Sequence, residues 1–197
     1  MIRILLFITV IFLDDVPPEL ERVRQQFNKG KVLHAQMIHV FEDSYTGEVE
    51  TTQALIWISK EKYKIRADEQ TVLVDGRTSR VYNERQNKLV ISQYEPEEDD
   101  FAPSRFFSGE DEIFKVTKTE RKQNMISITL QSEDPFEMFT MVTILLDENL
   151  TPVEINAVDQ MDNYMRTTFT DTMYLEYSDT FFDPDFPQDA EIIDLRR

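Results

Sequence analysis

No cysteine occurs among the 197 residues. That excludes disulfides, thiolate metal sites, cysteine nucleophiles and a cysteine-borne bacterial lipid anchor on this chain. It does not exclude an oxidising compartment. Glycine is scarce at four residues, too few for a Gly-rich phosphate cradle. Histidine occurs twice, as His34 and His39, five apart in one predicted strand. An odd separation puts them on opposite faces, so they cannot share a metal. No G-x-S-x-G elbow is present. Residues 183–189 (Asp-Pro-Asp-Phe-Pro-Gln-Asp) lack the central Gly and terminal Glu of a calcium loop. Carboxylates abound, but no spacing singles out a pair of the kind a glycosidase uses. The expectation is therefore a binding protein and not an enzyme, with no metal and no cofactor.

Basic residues are also short. Lys plus Arg is 21 against 38 Asp plus Glu, a formal net charge of −17. Such a chain repels phosphate backbones, and no nucleic-acid partner is expected. The deficit is uneven. Residues 1–122 carry 18 bases and 22 acids, and residues 123–197 carry 3 and 16. A solvated face explains this imbalance, and so does steering toward, or repulsion from, a charged partner surface.

What remains is globular. Hydrophobic residues make up 41% and charged residues 30%, and the length suits one domain with a sizeable core. Residues 1–13 read MIRILLFITVIFL, one Arg and then a ten-residue apolar run ended by Asp14 and Asp15. The run is too short to span a bilayer but fits the apolar region of a signal peptide. A hydrophobic strand or helix of the mature fold is the alternative. The expectation is a leader at 1–13 and a single domain at 14–197.

Pro17 and Pro18 suit a first helical turn. Leu20, Val23, Arg24 and Phe27 recur at helical spacing, predicting a short amphipathic helix over 17–29. From Val32 the period changes to two. Strands are predicted at 33–41, 48–58, 63–67, 71–74, 79–82 and 88–93, with turns at 44–47 and at Asp75-Gly76. An acidic loop, 95–100, interrupts the series. Residues 103–107 are predicted helical and end at Gly109. Strands resume at 113–119, 125–131, 136–146, 152–159 and 164–177. Short strands with regular turn signals predict an antiparallel sheet that curls.

Two features invite a functional reading. The chain holds 14 Phe, 7 Tyr, 1 Trp and 8 Met, many of them in predicted strands. Core packing accounts for them, or an apolar cavity whose Met residues repack around variable apolar ligands. Lys60, Lys62, Lys64 and Arg66 alternate, and on one strand they would share a face. That stripe is an edge-protecting solvated face or a docking stripe for an acidic partner or anionic headgroups.

The order of motifs resembles the periplasmic lipoprotein carrier LolA and its relatives. Helix 17–29 precedes a long hairpin ending in Ala54-Leu55-Ile56-Trp57-Ile58, similar to the family's "LWV" strand. Tyr63-Lys64-Ile65-Arg66 resembles its "FR" strand. Val74-Asp75-Gly76-Arg77-Thr78 with Val81-Tyr82 resembles its Asp-Gly hairpin. Residues 103–109, with Phe106 and Phe107, resemble its "P-x-x-L-L-x-G" helix. Residues 182–187 and 190–196 resemble its "V-I-D-L-R" ending. The resemblance covers about residues 17–197. Two departures stand out. The family's Arg-Pro pair after "LWV" is absent, with Lys60 the nearest base, and Arg80 stands where the family has an aromatic after the Asp-Gly turn.

The resemblance implies a mainly β (α+β) fold, an unclosed, curled antiparallel β-barrel with a short helical lid. It implies a periplasmic, monomeric carrier that shields the acyl chains of lipoproteins. Such a carrier receives them from an inner-membrane ABC transporter and passes them to an outer-membrane acceptor. A LolA-like lipid-sensing or regulatory module acting on a membrane protein is the alternative. The residues expected to line the acyl cavity are Trp57, Tyr63, Tyr82, Phe106, Phe107, Met138 and Met141. Lys60, Lys62, Lys64 and Arg66 are expected at the lid or a partner surface.

Overall fold

The computed structural model describes residues 16–95 and 113–196. The first element is helix α1 (Pro18–Asn28). Pro17 and Pro18 preset its first turn, and Glu19 and Glu21 meet the positive end of its dipole. Leu20, Val23 and Phe27 form its buried stripe. Gly30 stops the helix in the left-handed region at φ 75°.

Twelve strands follow among the described residues. They are β1 (Lys31–Glu42), β2 (Val49–Ile58), β3 (Tyr63–Ala67), β4 (Gln70–Val74), β5 (Thr78–Asn83) and β6 (Lys88–Gln93). Then come β7 (Phe114–Lys122), β8 (Met125–Ser132), β9 (Phe139–Leu146), β10 (Pro152–Asp159), β11 (Tyr164–Glu176) and β12 (Glu191–Asp194). They form one sheet in the order β12-β6-β5-β4-β3-β2-β1-β11-β10-β9-β8-β7. Every pairing is antiparallel except that of β12 with β6. The sheet is open, with β12 and β7 at its two ends. This is the mainly β, unclosed, curled architecture that the sequence predicts.

The curl can be read from one ion pair. α1 packs over β1, in the middle of the sheet. Its Glu19 nevertheless binds Arg121 of β7, the edge strand five places away. At about 4.8 Å per strand, a flat sheet would put that edge roughly 24 Å from β1. The β7 side must therefore roll around the helix. One core follows, joining Leu20, Val23 and Phe27 to side chains from β1, β2, β8, β9, β10 and β11.

Several strand boundaries differ from the sequence reading by one to three residues, and two of the departures have a physical reason. Residues 136–138 precede β9, because Asp134 turns the chain by accepting the Phe136 N–H at 2.9 Å. Phe136 is left 93% exposed. β12 is an added strand, only four residues long. Its pairing with β6 spans about a hundred residues of sequence, which no local pattern signals.

A buried polar knot joins two hairpin ends. Asp159 accepts the Met161 and Asn163 N–H groups and the Asn163 side-chain amide. The Asn163 side-chain carbonyl in turn accepts the Ser44 N–H at 2.9 Å, from the turn between β1 and β2. Asn163→Ala should strip this knot, leaving the Ser44 N–H without its acceptor and the buried Asp159 carboxylate without one of its donors, costing roughly 1–3 kcal/mol. A urea melt that shows no loss of stability would contradict that role.

Candidate functional site

Strand register assembles a row of aliphatic side chains across the concave face. Ala35 lies opposite Ile56, Ile56 opposite Ile65, Ile65 opposite Val72, Val72 opposite Val81, and Val81 opposite Val90. Ile193 of β12 continues the row beside Val90. Seven strands at about 4.8 Å spacing give a row roughly 29 Å long. An acyl chain of one membrane leaflet needs about half the ~30 Å bilayer core. Burial falls along the row. Ala35 and Ile56 are sealed in the core beside α1, whereas the residues from Ile65 to Ile193 are half-buried. The row is thus an apolar wall that the helix covers at one end.

Met37, Met165 and Phe169 extend this face beyond the row. His39 also points inward, and its Nδ1 lies 2.8 Å from the Thr167 hydroxyl. Burial pushes the His39 pKa down, which favours the neutral ring on this face. His34 lies on the convex side, stacked on Trp57 at 4.6 Å between ring centroids. Among the described residues no group of three or more acids or histidines is placed to hold a metal ion.

The sequence-predicted residues divide between the two faces. Tyr63 is buried in the main core and meets Tyr94 edge-on at 6.3 Å. Met138 packs against the same core. Trp57 lies on the convex face in a second cluster with Val32, Leu73 and Phe182. Tyr82 is also convex, tilted against Phe186 at 5.6 Å and donating its hydroxyl to Asn87 at 3.0 Å. Met141 pairs with Gln131 and Val158, one step from inward-facing Val142, and so faces outward. Phe106 and Phe107 lie outside the described residues.

The basic residues have a structural task that their spacing did not reveal. Lys60 and Lys62 lie in the turn before β3, and only Lys64 and Arg66 are in the strand. Past β11 the chain crosses the convex face as a strap, with a short 3₁₀ helix at Asp179–Phe182. Phe182 is buried there against Val32 and Leu73. The Lys62 Nζ donates to the Tyr177 hydroxyl at 3.0 Å and to Asp179 at 3.3 Å. The Tyr177 hydrogen bond and Asp179 hold the Lys62 pKa above its ordinary value, against the opposing pull of desolvation. The Lys64 Nζ donates to the Asp183 carbonyl at 3.2 Å. Arg66 stays exposed. Lys62→Ala should loosen the strap, with amide exchange rising several-fold at residues 179–182 and the core strands unchanged. Unaltered exchange there would show that the aromatic contacts alone hold it.

Glu19 of α1 is only 8% exposed, and its partner is Arg121 on β7. The other end of the helix is seated by Phe27, edge-on to Tyr174 at 6.0 Å. Burial pushes the Tyr174 phenol pKa up, and among the described residues its hydroxyl has no hydrogen-bond partner. Arg121→Ala would leave the Glu19 carboxylate buried and unpaired, a loss of roughly 1–3 kcal/mol. Faster amide exchange across α1 is the expected signature, and an unchanged helix would exclude Arg121 as its anchor.

No protein-family model matches the chain, and no curated protein matches it in sequence. Among solved structures it is similar to an uncharacterized conserved protein from Thermus thermophilus. That alignment has 11% identity and a TM-score of 0.58, covering 91% of this chain and 98% of the other. A LolA superfamily protein from Nitrosomonas europaea aligns at 9% identity and a TM-score of 0.49, covering 86% and 98%. A putative outer membrane lipoprotein-sorting protein domain from Vibrio parahaemolyticus aligns at 12% and 0.45, covering 82% and 94%. The likeness to the Thermus protein establishes a shared fold. Helix first, then a single open sheet curled around it, the architecture has the unclosed, curled form that the sequence motifs imply.

Proposed function

We propose that this protein is a lipid-binding carrier that shields the acyl chains of lipoproteins against its concave face. The observation that carries the reading is the aliphatic row from Ile65 through Val72 and Val81 to Val90, which stays half-buried and not sealed. Each acyl CH₂ left in water costs about 0.8 kcal/mol, so transit needs a continuous apolar wall. Release needs a wall that is not sealed, and partial burial of the row meets that need. With the LolA resemblance, the reading extends to a periplasmic, monomeric protein without catalytic activity. It would take lipoproteins from an inner-membrane ABC transporter and hand them to an outer-membrane acceptor. Among the described residues no helix is long and apolar enough to cross a membrane.

Val81 offers the test because it is half-buried, central in the row and outside the sealed core. Val81→Glu places a charge on the acyl path. Wild-type protein should solubilise triacylated lipoproteins released from spheroplasts, and the variant should retain roughly tenfold less. Its thermal midpoint should fall by no more than a few degrees. Equal retention by a folded Val81→Glu protein would remove the row as the binding surface.

A further inference from the structure

β2 is ten residues long, yet β3 pairs with only half of it, from Ala54 opposite Ala67 to Ile58 opposite Tyr63. Residues 49–53 are paired on one side, with β1. The hydrogen-bond phase of that hairpin is set at its tip, where the Asp43 N–H donates to the Glu48 carbonyl at 3.0 Å. Bonded pairs alternate from there, so Glu50 and Thr52 bond to β1. Val49, Thr51 and Gln53 turn their N–H and C=O groups the other way, to the open edge. All three residues are exposed, and among the described residues none makes a backbone bond to another segment.

Where β3 ends, this edge runs into a notch of about 450 Å³. Met37 and Ala54 line its inner side, Leu55 its outer side, and Arg66, Asp68 and Glu84 its rim. An added strand would lie in line with β3, bonding to the odd residues of β2 and sending alternate side chains to the two walls. Charge selects the occupant. Glu48, Glu50, Asp68 and Glu84 surround the edge against Arg66, and none of the five is in an ion pair among the described residues. A second copy of the chain, itself at −17, is repelled.

We propose that residues 49–53 and the adjoining notch form a docking edge for an extended, basic segment of a partner protein, bound as an additional strand. This site adjoins the concave face at Met37 but lies beyond the end of β3, outside the acyl row, and does not depend on it. The test titrates full-length protein with a fluorescein-labelled peptide of alternating Lys and Val at about 0.15 M salt, read by anisotropy. A Glu/Val peptide of equal length should bind at least roughly tenfold more weakly. Thr51→Pro removes an N–H that β1 does not use, so the hairpin ladder survives while the docking edge is blocked. It should weaken the Lys/Val peptide by roughly tenfold or more and leave lipoprotein retention unchanged.

In wild type, the peptide should slow amide exchange at Val49, Thr51 and Gln53 but leave Glu50 and Thr52 as they were. That measurement decides the matter if Thr51→Pro fails to fold. Undiminished peptide binding by a folded Thr51→Pro protein would show charge attraction without strand addition and overturn the proposal. So would an absence of added protection at the three odd residues, or equal binding of the Glu/Val peptide. A mass that doubles with concentration and reverts in Thr51→Pro would assign the edge to a second copy, and also overturns it.

Discussion

A single sheet of twelve strands has far more apolar face than one eleven-residue helix can cover while the sheet stays flat. Rolling the sheet around α1 is the constraint from which the other features follow. Leu20, Val23 and Phe27 fill the hollow, and burying each such side chain is worth about 1.5–3 kcal/mol. The Glu19–Arg121 ion pair fastens the rolled edge to the same helix. On the other flank the roll is not matched by a second α-helix among the described residues. The apolar row there from Ile65 to Ile193 is left half-covered. The architecture thus produces a sealed half, which holds the fold, and a half-covered one.

Much of this was legible in the sequence, and the failures have physical causes. Strands β3, β6 and β10 begin and end where the period-two reading puts them, because turn residues bracket each one. The odd spacing of His34 and His39 predicts their opposite faces, as found. Which face is concave was not legible. Residues 54–58 are apolar throughout because Ile56 and Ile58 enter the core while Trp57 sits under the strap. Burial on both sides erases the alternation that would tell the faces apart. β11 adds a further disguise. A bulge at Asp171, with φ 52°, shifts the pairing with β1 between His34 and Gln36. Phe169 and Tyr174 therefore face the same core although one is odd and the other even.

The charge imbalance also acquires a structural meaning. The acid-rich C-terminal part supplies the strap, and the basic residues before and within β3 receive it. Lys62 meets Asp179, and Lys64 meets the Asp183 carbonyl. A stripe that looked available for an outside partner is partly spent on the protein's own chain. β12 then extends the sheet beyond β6, and its Ile193 lengthens the apolar row on the opposite face. The strap therefore links the two surfaces: its aromatic residues cover the convex side, and its last strand completes the concave wall.

This link bears on how a carrier could release its load. On the proposed function, an acyl chain lying along the row would contact β3 through β6 and β12, of which β3 and β4 also pack into the core beneath α1 through Tyr63 and Val74. Moving α1 would open the sealed core, where burial is complete and disruption is costly. Moving the β12 end would instead break a four-residue parallel pairing and the Asn87 contact to the Asp189 carbonyl at 3.2 Å. Short edge pairings open at lower free energy than packed cores. If the proposed carrier function holds, the physical balance favours exchange of ligand at the β6–β12 end, with α1 kept as the fixed pivot around which the sheet is rolled.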